Sequence, residues 1–144
     1  GKVATGYDML TKIALGADTC NAARAMMFAL GCIQSLQCNT DRCPTGVATQ
    51  NKHRWQSLDV PDKSMRVGNF HRRILSDFSE IVGALGLSGP DELDASHVRK
   101  YTDIGVSKSF AEIYPIAKTG ELLDSATKGV YADLWRNVKA ESFN

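Results

Sequence analysis

The sequence predicts an α/β chain that is mostly helical, and three observations carry that expectation. Strand-like and helix-like segments alternate up to Leu30, a three- and four-residue apolar period returns beyond Asp59, and between them lies an irregular stretch holding three of the four cysteines. Alternation of strand and helix is the mark of parallel strands joined by helical crossovers.

Gly1-Lys2-Val3 reads as the end of a strand already in progress, and no methionine precedes Met9, so the chain is expected to be a fragment. Thr5-Gly6-Tyr7-Asp8 has capping-box spacing: the Thr5 hydroxyl can satisfy a free helix N–H while Asp8 faces the positive helix end. A helix should run from about Gly6 to Leu15, with Gly16 supplying the left-handed stop. Ala17 to Asn21 is short and suits a second strand, feeding a helix from Ala22 to Leu30. Residues 31–50 interleave Cys, Asn, Asp, Thr, Pro and Gly and read as an ordered loop.

Met65, Val67, Phe70, Ile74, Phe78, Ile81, Val82 and Leu85 then line one face of a long helix, with Arg66, Arg73, Asp77 and Glu80 between them. Asp59 or Asp62 should start it, and Gly86 should stop it. Gly89 to Leu93 looks like a turn opening a short helical piece that ends near Tyr101. Ser109 to Tyr114 suits one more helical turn, and Tyr131, Leu134, Trp135 and Val138 mark a last amphipathic segment. Residues 1–50 would thus hold the strands and the cysteine loop, and residues 51–144 a helical extension of the same domain.

Composition narrows the function classes. The chain has 144 residues, 43% of them hydrophobic and 23% charged, within the range of one globular domain. A net charge of +1, with basic and acidic residues interleaved, provides no field for nucleic acid or an acidic membrane. The longest apolar stretch, Ala22 to Ile33, contains Arg24 and falls short of the ~20 residues that span a bilayer. No secretory leader pattern opens the sequence, so a reducing cytoplasm is the expected compartment.

In that compartment clustered cysteines suit metal ligation better than disulfides. Cys32, Cys38 and Cys43 stand at C-x5-C-x4-C, with Pro44 following the last. Structural zinc sites favour shorter C-x2–4-C pairs and need four ligands, whereas iron–sulfur clusters accept wider spacings and often a proline after the terminal cysteine. His53 is ten residues beyond Cys43 and Cys20 lies across a helix, so a fourth zinc ligand is hard to find. Three thiolates suit a three-iron cluster best; zinc and inert buried thiols are the alternatives that spacing leaves open. Cys20, alone on its segment, reads as packing. Lys52-His53-Arg54 with Trp55, and His71-Arg72-Arg73, could form a nucleic-acid face, but charges opposite an apolar stripe are normally solvated. His53, His71 and His97 have no partner at metal spacing.

Ala29-Leu30-Gly31-Cys32-Ile33-Gln34, Cys38-Asn39 and the run from Cys43 to Gln50, CPTGVATQ, together resemble the cluster loop of the FMN-binding glutamate synthase family. The run from Gly16 to Met27, Asp62-Lys63-Ser64 and Ser109 to Pro115 fit the same pattern, so the resemblance covers about Gly1 to Leu123. It implies the last two βα units of an FMN-binding (β/α)8 barrel, a [3Fe-4S] cluster on Cys32, Cys38 and Cys43, and reductive amination of 2-oxoglutarate to glutamate. Glutamine or ammonia would supply nitrogen, and ferredoxin or an NAD(P)H-oxidising subunit the electrons. In such barrels a phosphate commonly sits at the loops after strands seven and eight. Here those loops are Gly1-Lys2 and Asn21-Ala22-Ala23-Arg24, where small residues allow close approach and Arg24 adds charge. In the family the position of Ala23 is often glycine. Two other functions fit the resemblance less fully: a methylamine–glutamate N-methyltransferase-like subunit, and a non-catalytic electron-transfer or metal-binding module.

Overall fold

The computed structural model describes residues 1–124 and 131–142. These divide into two compact units that meet in sequence at Val98 and Arg99.

The first unit is helical. Helix α1, Gly6–Ala14, starts on the expected capping box: the Thr5 hydroxyl accepts from the Asp8 N–H at 3.1 Å, and Asp8 Oδ2 accepts from the Thr5 N–H at 3.0 Å. It ends before Gly16, whose φ of +94° is the left-handed geometry that glycine adopts freely. Helix α2, Arg24–Leu30, begins two residues later than the sequence suggests, and Gly31 closes it at φ +107°. Helix α3, Lys52–Trp55, is a single turn that the sequence pattern did not announce. Helix α4, Val60–Ala84, is the long one: Asp59 caps it by accepting from the Asp62 N–H at 3.1 Å, and Pro61 sits in the first turn, where no N–H is needed.

Helices α1 and α2 both pack on α4. Ile74, Phe78 and Val82 of the predicted stripe are buried there, with Leu10 and Ala14 of α1 and Ala25 of α2. Each large side chain so buried contributes roughly 1.5–3 kcal/mol of transfer free energy. Gly6 makes the approach possible, because a Cβ on it would lie 2.4 Å from the Phe78 backbone nitrogen. Met65 and Leu85, at the ends of the stripe, are exposed instead.

The two expected parallel strands do not form. Residues 1–4 and 17–21 take part in no ladder, so neither α1 nor α2 follows a paired strand. A parallel strand is held by pairing with a neighbour and by cover on both faces. Among the described residues neither segment has a strand to pair with.

The second unit holds the one sheet among the described residues, an antiparallel pair of β1, Arg99–Asp103, and β2, Val106–Ser109. Arg99 faces Ser109 and Tyr101 faces Ser107, with a bulge before Asp103. The helical piece expected to reach Tyr101 is therefore only a 3-10 turn at Pro90–Glu92, and the chain turns back at Gly105, φ +74°. Helix α5, Phe110–Ile113, falls within the expected Ser109–Tyr114 turn and starts on a capping box: Ser109 accepts from the Glu112 N–H at 3.3 Å, and Glu112 Oε2 accepts from the Ser109 N–H at 2.6 Å. Helices α6, Glu121–Asp124, and α7, Ala132–Asn137, follow, the latter where the Tyr131–Val138 pattern places it. No helix among the described residues is long and apolar enough to cross a membrane.

The α1 cap yields a stability prediction. Thr5→Ala removes a side-chain cap and is expected to cost about 1 kcal/mol. Asp8 is held below its ordinary 3.8 chiefly by the Ala4 N–H, then by the Thr5 hydroxyl and N–H. A carboxyl depressed in the folded state stabilises above its unfolded value and loses that contribution as pH falls through the folded one. Thermal unfolding of Asp8→Asn beside the parent chain should show a stability gap at neutral pH that closes in acid.

Candidate metal centre

The loop that carries the three thiols is built from unusual backbone. Leaving α2, the Cys32 N–H donates to the Met27 carbonyl at 3.0 Å, and the Cys32 sulfur accepts from the Gln34 N–H at 3.5 Å. Gln34 and Leu36 then take positive φ values of 55° and 57°. Cys38 opens a 3-10 turn, Cys38–Thr40, that ends at Asp41 with φ 61°. Among the described residues, the non-glycine positions in this left-handed region are Lys2, Gln34, Leu36 and Asp41. Lys2 lies in one of the two stretches nominated for the flavin phosphate, and the other three lie in the cysteine loop. Such conformations cost of order 1–3 kcal/mol each and persist where surrounding structure fixes them, commonly at functional sites.

The thiols differ in setting: Cys38 is exposed, Cys32 half-buried and Cys43 buried. Cys43 Sγ lies 3.4 Å from the Thr45 hydroxyl. That hydroxyl and the backbone N–H groups of Ala48, Thr45 and Val47 bring the thiol down to about 7. The donors come from one tight fold of chain, in which Pro44 follows Cys43 and the Gly46 N–H returns to the Cys43 carbonyl at 3.4 Å. Gly46 is required there twice over. Its φ is +78°, and a Cβ on it would meet the Arg54 carbonyl oxygen at 2.4 Å.

Three thiols in one loop, one of them surrounded by N–H donors, make a donor set suited to an iron–sulfur cluster, whose sulfurs are thiolates stabilised by such hydrogen bonds. The structure does not bring the three sulfurs together around one centre: among the described residues no group of three His, Cys, Asp or Glu side chains is placed to hold a metal. His53 is exposed on α3, and the His97 ring accepts from the Asp94 N–H at 3.1 Å.

Of the residues nominated for the flavin phosphate, Ala22 alone lines a cleft. Gly1, Lys2, Asn21, Ala23 and Arg24 are exposed and Ala22 is half-buried. Val3, next to Lys2, and Ala22 line one apolar cleft of about 110 Å³ with Met9, Met26 and His71. Cys20 lines it too, in keeping with a packing role.

Arg54 departs from its sequence reading as part of a solvated face. It is half-buried, and its guanidinium donates to the Arg42 carbonyl at 2.5 Å, next to Cys43. Asp41, which sequence reasoning passed over, accepts at Oδ1 from the Gln50 N–H at 2.5 Å, and the Thr49 hydroxyl lies 2.7 Å from its carbonyl oxygen. No spacing rule links positions eight to twelve residues apart in a loop, so none of these contacts had a sequence signal.

The family model described as a conserved region in glutamate synthase matches residues 1–88. The chain is 38% identical over 98 residues to the glutamate synthase large subunit-like protein YerD of Bacillus subtilis, covering 68% of this chain and 19% of that protein. It is 31% identical over 121 residues to the archaeal glutamate synthase [NADPH] of Methanocaldococcus jannaschii, covering 84% and 24%. A ferredoxin-dependent glutamate synthase of Pyropia yezoensis is 32% identical over 112 residues, covering 76% of this chain and 7% of the relative. The chain thus spans a quarter or less of the length of these relatives. No solved structure matches it.

Proposed function

Since the chain belongs to the glutamate synthase family, we propose that it is the cluster-bearing part of a glutamate synthase-type oxidoreductase. The observation that carries this reading is the loop from Cys32 to Gln50, which lies wholly within the matched region and concentrates both left-handed backbone and thiolate-stabilising donors. The reaction is the reductive amination of 2-oxoglutarate: one ammonia, released from glutamine or taken up directly, two electrons and two protons give glutamate and water. Ferredoxin or an NAD(P)H-oxidising subunit is the electron source. When bound, FMN supplies hydride chemistry and the [3Fe-4S] cluster single-electron transfer.

The chain's own part is to hold these groups. Cys32, Cys38 and Cys43 are the cluster ligands, with Thr45, Ala48 and Val47 lowering the Cys43 thiol to about 7, toward the thiolate form that a ligand requires. Gly1, Lys2, Asn21, Ala22, Ala23 and Arg24 contribute to the FMN phosphate site. Lys2 and Arg24 are exposed cations, and Ala22 lines one cleft with Val3, the neighbour of Lys2. Helices α1 and α2 are the helices of the last two βα units of an FMN-binding (β/α)8 barrel, whose strands pair only beside the remaining ones.

Expressed within a polypeptide of the relatives' length and given FMN, reductant, 2-oxoglutarate and ammonia, the protein should form glutamate. The 144-residue chain alone should not. Absence of glutamate from the long form with both cofactors loaded would overturn the reading. In the same long form Ala23→Glu should lower FMN retention, since a carboxylate there opposes the phosphate; full flavin occupancy would move the phosphate site elsewhere.

A further inference from the structure

We propose that Asp41 and Arg54 are positioning residues for the cluster, forming a clasp that closes the loop around Cys43 and sets its thiol relative to that of Cys38. This rests on the assignment of the loop as the cluster site. Asp41 lies between Cys38 and Cys43, and its carboxylate reaches across to the far end of the loop, accepting from the Gln50 N–H at 2.5 Å. The Thr49 hydroxyl is shared between the Asp41 carbonyl at 2.7 Å and its carboxylate at 3.0 Å, and itself accepts from the Asn51 N–H at 3.1 Å. Residues 41 and 50 are thereby tied into a ring that contains Cys43.

Arg54 ties the same ring from outside. Its guanidinium donates to the Arg42 carbonyl at 2.5 Å, and its own carbonyl backs directly on Gly46. Helix α3 thus serves as a buttress: it brings one side chain to the start of the ring and one backbone group to the ring's middle. The clasp also meets a specific need. Asp41 is held at φ 61°, a conformation that non-glycine residues adopt with strain, and its fixed direction decides where Cys38 on one side and Cys43 on the other can point. Ligands that must be held to within fractions of an ångström need such support from residues that do not touch the metal.

The test uses the protein carrying this chain, purified anaerobically with its cluster. Loss of visible absorbance is followed in excess iron chelator for the parent, Asp41→Ala, Asp41→Asn and Arg54→Gln. Asp41→Ala and Arg54→Gln should lose the cluster about tenfold faster. Asp41→Asn keeps an acceptor oxygen and should recover most of the difference. Far-UV helical signal and melting of the metal-free proteins should stay at parental values, while the electron paramagnetic resonance line shape of the oxidised cluster changes. Parental rates and line shape in both Asp41→Ala and Arg54→Gln would overturn the clasp while leaving the cluster in place. A fall in helical signal in these variants would equally overturn it, by showing a general folding role. Absence of iron and sulfide from the parent would instead overturn the cluster assignment, and the clasp with it.

Discussion

Cys38→Ser is expected to remove the cluster, the largest effect of any single substitution in the chain. The C-x5-C-x4-C loop contains three thiols and no fourth to take over. Cys38 is exposed at the mouth of its 3-10 turn, so the change leaves the folded core untouched and acts on ligation alone. Visible absorbance, iron and sulfide should all be lost together, with the helical signal unchanged. Cys20→Ser is the control: that thiol lines the apolar cleft beside Ala22 and should leave the cluster intact. A full cluster in Cys38→Ser would mean that the ligand set is different.

Gly46→Ala should be the most damaging small substitution in the loop. An alanine at φ +78° costs roughly 1–2 kcal/mol. Its methyl would also stand 2.4 Å from the Arg54 carbonyl, forcing backbone to shift at a further cost of about 1–3 kcal/mol. The shift would pull the loop off α3 and disperse the donors around Cys43. Both lower unfolding stability and a reduced iron content are expected, read by thermal unfolding of the metal-free protein and by metal analysis. Gly83→Ala supplies the contrast. It sits on an exposed face of α4 with nothing within 4 Å of its added methyl, and should stabilise by about 1 kcal/mol. Equal effects at the two glycines would contradict the packing argument.

What the sequence disclosed follows the range of the forces involved. The caps of α1, α4 and α5 are contacts between residues three apart, and Thr5, Asp59 and Ser109 show them directly in the chain. The glycines at 16 and 86 announce left-handed stops, and the α4 stripe declares the face that Ile74, Phe78 and Val82 bury. Strands are different, because a strand exists only through a partner. Residues 17–21 looked extended and found none, while Arg99–Asp103 lacks apolar alternation and is exposed throughout, yet pairs with β2. At the site, the cysteine spacing was legible as a local pattern. The Asp41–Gln50 and Arg54–Arg42 ties were not, since a polar side chain reaching a distant backbone group leaves no period, and Arg54 on its own looked like any solvated arginine.

The central claim is that this loop holds iron and sulfide, and metal analysis of the anaerobically purified protein tests it most directly. Iron and acid-labile sulfide should be present in the three-to-four ratio of the cluster, with broad visible absorption from thiolate-to-iron charge transfer, and both should vanish in Cys38→Ser. Stoichiometric zinc without iron or sulfide would contradict the account.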